Sequence, residues 1–474
     1  MEKVEIVARS TSQFRGVLGT EHHRALDDAL ARLWELLAGR RLWHINSTSA
    51  GGGVAEMLAS LLPYPLGAGV DVRWLVVNGD ERFFEVTKRV HNHLHDDEGD
   101  NGSLGDGERA VYEQVIGGQA DPLLDDIRPG DVVVLHDPQT AGLVVPLKTR
   151  GAHVVWRCHV GLEEPGSLAR EAWEFLRYDV LAADACVFSR PQFVWDGLVP
   201  DRVVTLAPCI DVVSPKNQPL DRAGRDAILQ ASGIISAEGV TADPPVFVAS
   251  DGARQVVERR ATLTEEIPLP ADARVVLQVS RWDRLKDPVG LLQAFATAGP
   301  TDSDVHLLLA GPAGDGVADD PEGAETFADV CDEWRRLAPA TRRRVHLVRV
   351  PMDDFDENAA IVNALQRRAD VVVQKSLAEG FGLTVAEAMW KHRPVVASRV
   401  GGIQDQIVHD ESGILVDDPC DLAAFGRAIR EVLADPERAR RMGSAAHDRV
   451  CTSFLPPHHF AGEARLVEQL VGRG

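Results

Sequence analysis

Hydrophobic positions along this 474-residue chain gather into short Val-rich runs separated by longer segments of helical spacing. In the first half the runs are VDVRWLVVNG from Val70, DVVVLHDP from Asp131, AHVVWRCH from Ala152 and ADACVFS from Ala183. Runs this apolar at successive positions, each followed by a helical pattern, predict a parallel sheet covered on both faces. After Cys209 the polar, Pro-containing stretch IDVVSPKNQPLDRAG interrupts the alternation and predicts a domain connection, with a boundary near residue 212.

The alternation then restarts with ARVVLQVS from Ala273, VHLLLAGP from Val305, VHLVRVP from Val345, ADVVVQKS from Ala369 and RPVVASRV from Arg393. The prediction is an α/β chain of two Rossmann-like domains, 1–212 and 213–455. A terminal helix over about 456–474, with Phe460, Leu466 and Leu470 on one face, packs back onto the first domain. The stretch GIISAEGVTADPPVFVASDGARQVVERR has no usable period, so the structure of 213–270 stays open. DDEGDNGSLGDGER, from Asp96, reads as an exposed loop. His91, His93 and His95 alternate as metal ligands on a strand would, but FFEVTKRVHNHLH has helical spacing, on which the three rings diverge.

Composition narrows the function classes. A charged fraction of 26% with 45% hydrophobic residues is that of a globular enzyme. The formal net charge of -22 argues against a non-specific nucleic-acid binder, which would place Lys and Arg along the phosphates. Six scattered cysteines form no CxxC pair or zinc cluster and read as reduced thiols. MEKVEIVARS lacks the apolar core of a signal peptide, and no run is long enough to span a membrane. The expectation is a cytoplasmic protein with no membrane partner.

Three glycine or cation motifs sit where strands end, the position at which open α/β sheets bind ligands. The first is Glu379-Gly-Phe-Gly-Leu-Thr-Val-Ala-Glu387, after VVVQ. If Gly380 and Gly382 turn the chain into a helix, the backbone from Gly380 through Phe381 to Leu383 faces a ligand without a side chain in the way. Glu379 then lies on the loop and Glu387 about two turns into the helix, both suited to accept hydrogen bonds from sugar hydroxyls. The pattern alone also fits a plain strand-turn-helix with two solvent-facing acids.

The second is Ser280-Arg281-Trp-Asp-Arg284-Leu-Lys286, with Arg281 as a planar fork for phosphate oxygens and Lys286 as a movable point charge. The third is Asn46 to Glu56, where Gly51, Gly52 and Gly53 permit close backbone approach but match neither a dinucleotide fingerprint nor a Walker loop. Two further strand ends carry His159 and the group His136-Asp137-Pro138-Gln139, polar residues able to hold a sugar or simply to make a turn.

Taken together, the motifs resemble retaining glycosyltransferases of the GT-B fold, family four. SRWDRLKDP, EGFGLTVAE and VVASRVGGIQDQI carry the general pattern. WHINSTSAGGGVAEML, LHDPQTAGLV, VWRCHVG and APCIDVVSPKNQPL are similar to its trehalose glycosyltransferring synthase subgroup. The resemblance implies two Rossmann-like domains facing a central cleft, and transfer of glucose with retention from ADP-, UDP- or GDP-glucose to glucose, giving α,α-trehalose.

On the same basis Arg281 and Lys286 would neutralise the departing diphosphate, Glu379 would bind donor-glucose hydroxyls, Glu387 would hold the ribose and His159 would line the donor sugar. Gly51, Gly52 and Gly53 would shape the phosphate and acceptor side, with Asn46, Asp137 and Gln139 toward the acceptor. No metal ligand set stands out; Mg2+ assistance and a homodimer are left open. A trehalose phosphorylase of the same fold, a catalytically silent sugar-nucleotide binder and an epimerase are the alternatives.

Overall fold

The computed structural model describes residues 1–49, 52–236, 243–314 and 322–472. The chain divides into two compact units, Met1–Cys209 with Pro456–Gly474, and Ile210–Leu455.

The first unit is built on a seven-stranded sheet: β1 (Glu2–Val4), β2 (Arg41–Asn46), β3 (Asp71–Val76), β4 (Val132–His136), β5 (His153–Cys158), β6 (Ala185–Phe188) and β7 (Val203–Thr205), in the order β1-β3-β2-β4-β5-β6-β7. Only β1 joins antiparallel; the other pairings are parallel. All five residues of β4 are buried, as expected of a strand with helices on both faces. Trp43, Ile45, Phe83, Tyr112, Trp156 and Phe188 anchor the core on one face.

The predicted terminal helix is Pro456–Val471; it packs along the helix Thr20–Leu36, where Arg32 pairs with Glu468 at 2.6 Å. FFEVTKRVHNHLH lies in the helix Glu81–Leu94 with only its last histidine beyond it, as its spacing predicted. The acidic stretch differs in part. Its last four residues open the helix Asp106–Asp126, because Glu108 reaches back to the Gly105 N–H at 3.1 Å and starts a helix there. Arg89 on the preceding helix holds the remaining loop through Asp100.

The second unit repeats the architecture. A small antiparallel pair, β8 (Val246–Val248) and β9 (Arg254–Val256), precedes a sheet of β10 (Thr262–Thr264), β11 (Arg274–Val279), β12 (Val305–Pro312), β13 (Val345–Val350), β14 (Val371–Gln374), β15 (Val395–Ser398) and β16 (Ile414–Val416). Their order is β10-β13-β12-β11-β14-β15-β16, parallel apart from β10. The segment 213–270, whose structure the sequence left open, contains the helix Arg222–Ala231 and three-residue strands that are too short to display an alternation.

Strand order positions the chemistry. Among the parallel strands of each sheet the chain starts inside the sheet, at β2 or β11, and winds outward both ways, so the connections leaving two neighbouring strands diverge and open a crevice at their carboxyl ends. In the first sheet those strands are β2 and β4, and in the second β11 and β14.

Candidate active site

In the second unit the loop after β11 is fixed by its own acids. Asp283, 8% exposed, accepts the Leu285 N–H at 2.8 Å and pairs with Arg281 at 3.1 Å. Gln278, in β11, donates to the Lys286 carbonyl at 2.9 Å and accepts the Lys375 N–H at 3.0 Å. One buried amide thus ties the Lys286 turn to the end of β14. Asp287 has φ 42° and caps the helix Pro288–Ala298 through the Gly290 N–H at 2.9 Å. Its other carboxylate oxygen pairs with Lys375, whose side chain is fully buried and lies over the Phe425 ring.

Lys286 Nζ meets Glu379 Oε2 at 2.7 Å, and Ser376 Oγ donates to the same oxygen at 3.2 Å. Two sequence motifs 93 positions apart are in direct contact. Gly382, at φ 82°, caps the helix Leu383–Trp390, so the predicted glycine turn into a helix is present. Glu387 is the fifth residue of that helix, little more than one turn in rather than two, because the helix starts only at Leu383. The Phe381 ring is buried against Phe454, leaving its backbone as the part that can face a ligand.

Glu387 is 4% exposed, and its Oε2 has no hydrogen-bond partner among the described residues. Its Oε1 lies 3.8 Å from Lys216 Nζ. A buried polar oxygen left without a partner costs about 1–3 kcal/mol until a donor reaches it. Lys391, one turn on, is buried and bonds Asn217 Oδ1 at 2.8 Å and Gln366 Oε1 at 2.6 Å. Burial drives its ammonium well below the usual range, opposed by Glu387.

Sequence reading missed Gly401 and Gly402. A Cβ at Gly401, which has φ 49°, would fall 1.7 Å from the Glu379 carbonyl oxygen, and one at Gly402 would fall 2.7 Å from Phe381 Cα. Gly402 N–H also donates to the Gly380 carbonyl at 3.0 Å. This glycine pair lets the loop after β15 press against the Glu379 turn. The adjacent glycines of VGGIQDQI were the available signal.

In the first unit Gly52, at φ 120°, caps the helix Gly53–Leu61, a conformation that requires glycine even though a Cβ there would meet nothing within 4 Å. Gly51 lies outside the described residues. The structure commits Asn46 internally: its Oδ1 accepts the Trp74 indole N–H at 2.8 Å and its Nδ2 donates to the Thr48 carbonyl at 2.6 Å. Both ends of the Asn46 amide thus help to shape this loop. Gln139 Oε1 is buried with no partner among the described residues.

Asp137 follows β4 at φ 61° and accepts the His159 N–H at 2.8 Å. Burial raises its carboxyl to about 7, against the pull of that N–H and of Arg157. His159, just past β5, is one end of a row in which Nε2 lies 3.1 Å from His136 Nδ1, and His136 Nε2 lies 3.1 Å from His44 Nδ1. Burial pushes His136 and His159 far below the usual imidazole range and His44 down to about 4, so all three are neutral near pH 7. Among the described residues no group of three or more His, Cys, Asp or Glu is arranged to hold a metal ion. No described helix is long and apolar enough to cross a membrane.

The described geometry therefore supplies two sets of groups. The second unit offers paired cations and carboxylates at strand ends, suited to a diphosphate and to hydroxyls; the first offers neutral imidazoles and a carboxyl that titrates near neutrality.

Comparison with known proteins bears on that chemistry. Residues 44–195 match the family "Trehalose synthase, N-terminal domain", and residues 347–449 match "Glycosyl transferases group 1". The chain is 34% identical to the trehalose synthase of Rubrobacter xylanophilus, with 100% of both chains covered. It is 26% identical to the trehalose phosphorylase of Pleurotus pulmonarius over 86% of this chain and 54% of that one. The fold matches an α,α-trehalose-phosphate synthase (UDP-forming) from Burkholderia vietnamiensis with a TM-score of 0.64 at 15% identity, covering 90% of this chain and 97% of the other. The chain belongs to the trehalose synthase family of GT-B glycosyltransferases.

Proposed function

We propose that the chain transfers glucose, with retention, from a nucleoside diphosphate glucose to free glucose, forming α,α-trehalose. The observation that carries this reading is the Lys286–Glu379 contact at 2.7 Å, which joins a phosphate-binding cation to a hydroxyl-binding carboxylate. Arg281 and Lys286 stabilise the charge that grows on the diphosphate as the glycosidic bond breaks, where a preorganised cation contributes most. Glu379 accepts hydrogen bonds from donor-sugar hydroxyls, and Oε2 of Glu387, which has no partner among the described residues, accepts from the ribose.

His159, neutral, hydrogen-bonds the donor sugar, while Asp137, Gln139 and the backbone around Gly52 and Gly53 serve the acceptor and phosphate side. Attack of the acceptor on the face the diphosphate leaves requires no protein nucleophile, and a diphosphate oxygen takes the acceptor proton. Incubation with ADP-, UDP- and GDP-glucose plus glucose, with identification of the disaccharide, tests this reading. Absence of trehalose from every donor refutes it.

The likeness to a trehalose phosphorylase supports a second reading, in which inorganic phosphate takes the place of the nucleotide. Release of glucose 1-phosphate from trehalose and phosphate, without nucleotide, would favour that alternative.

A further inference from the structure

The row His44, His136 and His159 has a constraint that none of the three shows alone. A neutral imidazole has one N–H donor and one bare nitrogen acceptor. With two ring-to-ring bonds of 3.1 Å, the row is satisfied in only two ways, with every proton pointing toward His44 or every proton pointing toward His159. The tautomers of the three rings are therefore locked together. The rings also stack, with centroids 5.4 Å apart at both steps, so a single ring has little freedom to flip.

The row runs across three adjacent strands, because β2, β4 and β5 are neighbours in the sheet. His44 and His136 are 2% and 0% exposed, while His159 is only partly buried. At the far end, His44 Nε2 is buried with no hydrogen-bond partner among the described residues. It lines a small, mainly apolar cavity whose charged members are Arg157 and Glu463. His459, on the same helix as Glu463, bonds that carboxylate at 3.1 Å, and Arg157 approaches it to 4.0 Å.

Burial alone would raise Glu463, but His459, His44 and Arg157 together hold it down to about 2, so a fixed negative charge faces the end of the row. Of the charges acting on His44, Glu463 acts more strongly than Arg157 or His459. A carboxylate favours the tautomer that turns an N–H toward it.

We propose that Glu463 sets the tautomer of His159 through His44 and His136, so that His159 keeps its proton on Nε2 and presents a bare Nδ1 as a hydrogen-bond acceptor. His44, His136 and Glu463 are then positioning residues. The consequence for sugar transfer rests on the function proposed above, since only there does His159 meet a donor-sugar hydroxyl. A bare Nδ1 accepts a hydroxyl proton and leaves the hydroxyl oxygen free for another donor.

The test has a spectroscopic arm that does not depend on activity. In protein labelled with 15N at histidine, long-range 1H–15N correlation distinguishes protonated from bare ring nitrogens. His159 of the unaltered protein should show a protonated Nε2 and a bare Nδ1, and Glu463→Gln should convert His159 partly or wholly to the opposite tautomer. An Nδ1-protonated His159 in the unaltered protein, or a His159 tautomer unmoved by Glu463→Gln, overturns the proposal. If Glu463→Gln does not yield folded protein, His44→Gln, which cuts the row one ring from Glu463, is read in the same way.

In the kinetic arm, Glu463→Gln should lower kcat about three- to tenfold, the equivalent of one hydrogen bond, with KM for the nucleotide sugar unchanged. A tautomer change with no kinetic effect would count against the role of His159 in transfer while leaving the relay intact. A kinetic effect without a tautomer change would count against the relay.

Discussion

Replacing Lys286 with Met and Glu379 with Gln, singly and together, makes the contact between the two motifs measurable as a coupling energy. The side chains are 18% and 11% exposed and meet at 2.7 Å. Two unit charges about 4 Å apart at an effective dielectric of about 20 interact by about 4 kcal/mol, and exposed pairs by about 0–1. Exposure this low places the pair nearer the buried limit, but Ser376 still bonds Glu379 at 3.2 Å once Lys286 is gone. A coupling of about 1–3 kcal/mol in unfolding free energy is therefore expected, with Lys286→Met the more damaging single change because it strands a carboxylate. Urea unfolding of the four proteins without substrate, followed by tryptophan fluorescence, supplies the number. A coupling below about 0.5 kcal/mol would show that the two side chains are not held together before substrate arrives, and the preorganisation argument would fail. On the proposed reading kcat falls on the order of 10²–10³-fold in Lys286→Met, since a cation facing the leaving group acts mainly in the transition state.

Gly401→Ala should destabilise by about 2–5 kcal/mol, combining a left-handed backbone cost of about 1–2 with overpacking against the Glu379 carbonyl of about 1–3, and should weaken donor binding; a thermal melt within 1–2 °C of the parent would refute the close approach. His306, held down to about 4 by burial, is neutral in the fold and charges in the unfolded chain near 6.5. Its contribution is present above pH 6.5 and is lost as pH falls toward 4, so His306→Gln should flatten the acid limb of a stability-versus-pH curve over that window. Asp137, raised to about 7, has the opposite sign: the fold retains a proton that the unfolded chain releases near 4. Stability is lost as pH rises from about 4 to 7, and Asp137→Asn, which can still accept the His159 N–H, should gain on the parent by about 2–4 kcal/mol across that range.

The order of elements was legible in the sequence because strands covered on both faces are apolar at every position, as in DVVVLHDP and ADVVVQKS. Strand ends carrying Arg281, Lys286, Glu379 and Glu387 were legible for the same reason, since the place where a run stops marks the carboxyl edge. Sheet order was not, and it decides who meets whom. The pairing of Lys286 with Glu379 follows from β11 lying beside β14, and the row through His44 from β2, β4 and β5 lying side by side. The resemblance put Asn46 toward the acceptor, and what its amide does depends also on Trp74 of the neighbouring strand, 28 positions away. Gly401 and Gly402 escaped because a glycine's role is set by what presses on it, here the carbonyl of Glu379 and the backbone of Phe381.

The two units solve the electrostatics of transfer differently, and the chain's net charge of -22 sharpens the contrast. Three cations at the strand ends of the second unit each come with an acid: Arg281 with Asp283, Lys286 with Glu379, and Lys375 with Asp287. Such pairing keeps the cations ordered without substrate but also weakens their outward field, since each is partly neutralised at home. A diphosphate arriving beside Lys286 must share it with Glu379, and on the proposed reading that sharing is productive. As Lys286 turns to phosphate oxygen, Glu379 is freed to accept sugar hydroxyls, so binding of the nucleotide half and of the glucose half reinforce each other. The neutral imidazoles of the first unit add no further positive charge of their own. They can then discriminate by the direction of a hydrogen bond, a property that a lysine, with donors only, cannot supply.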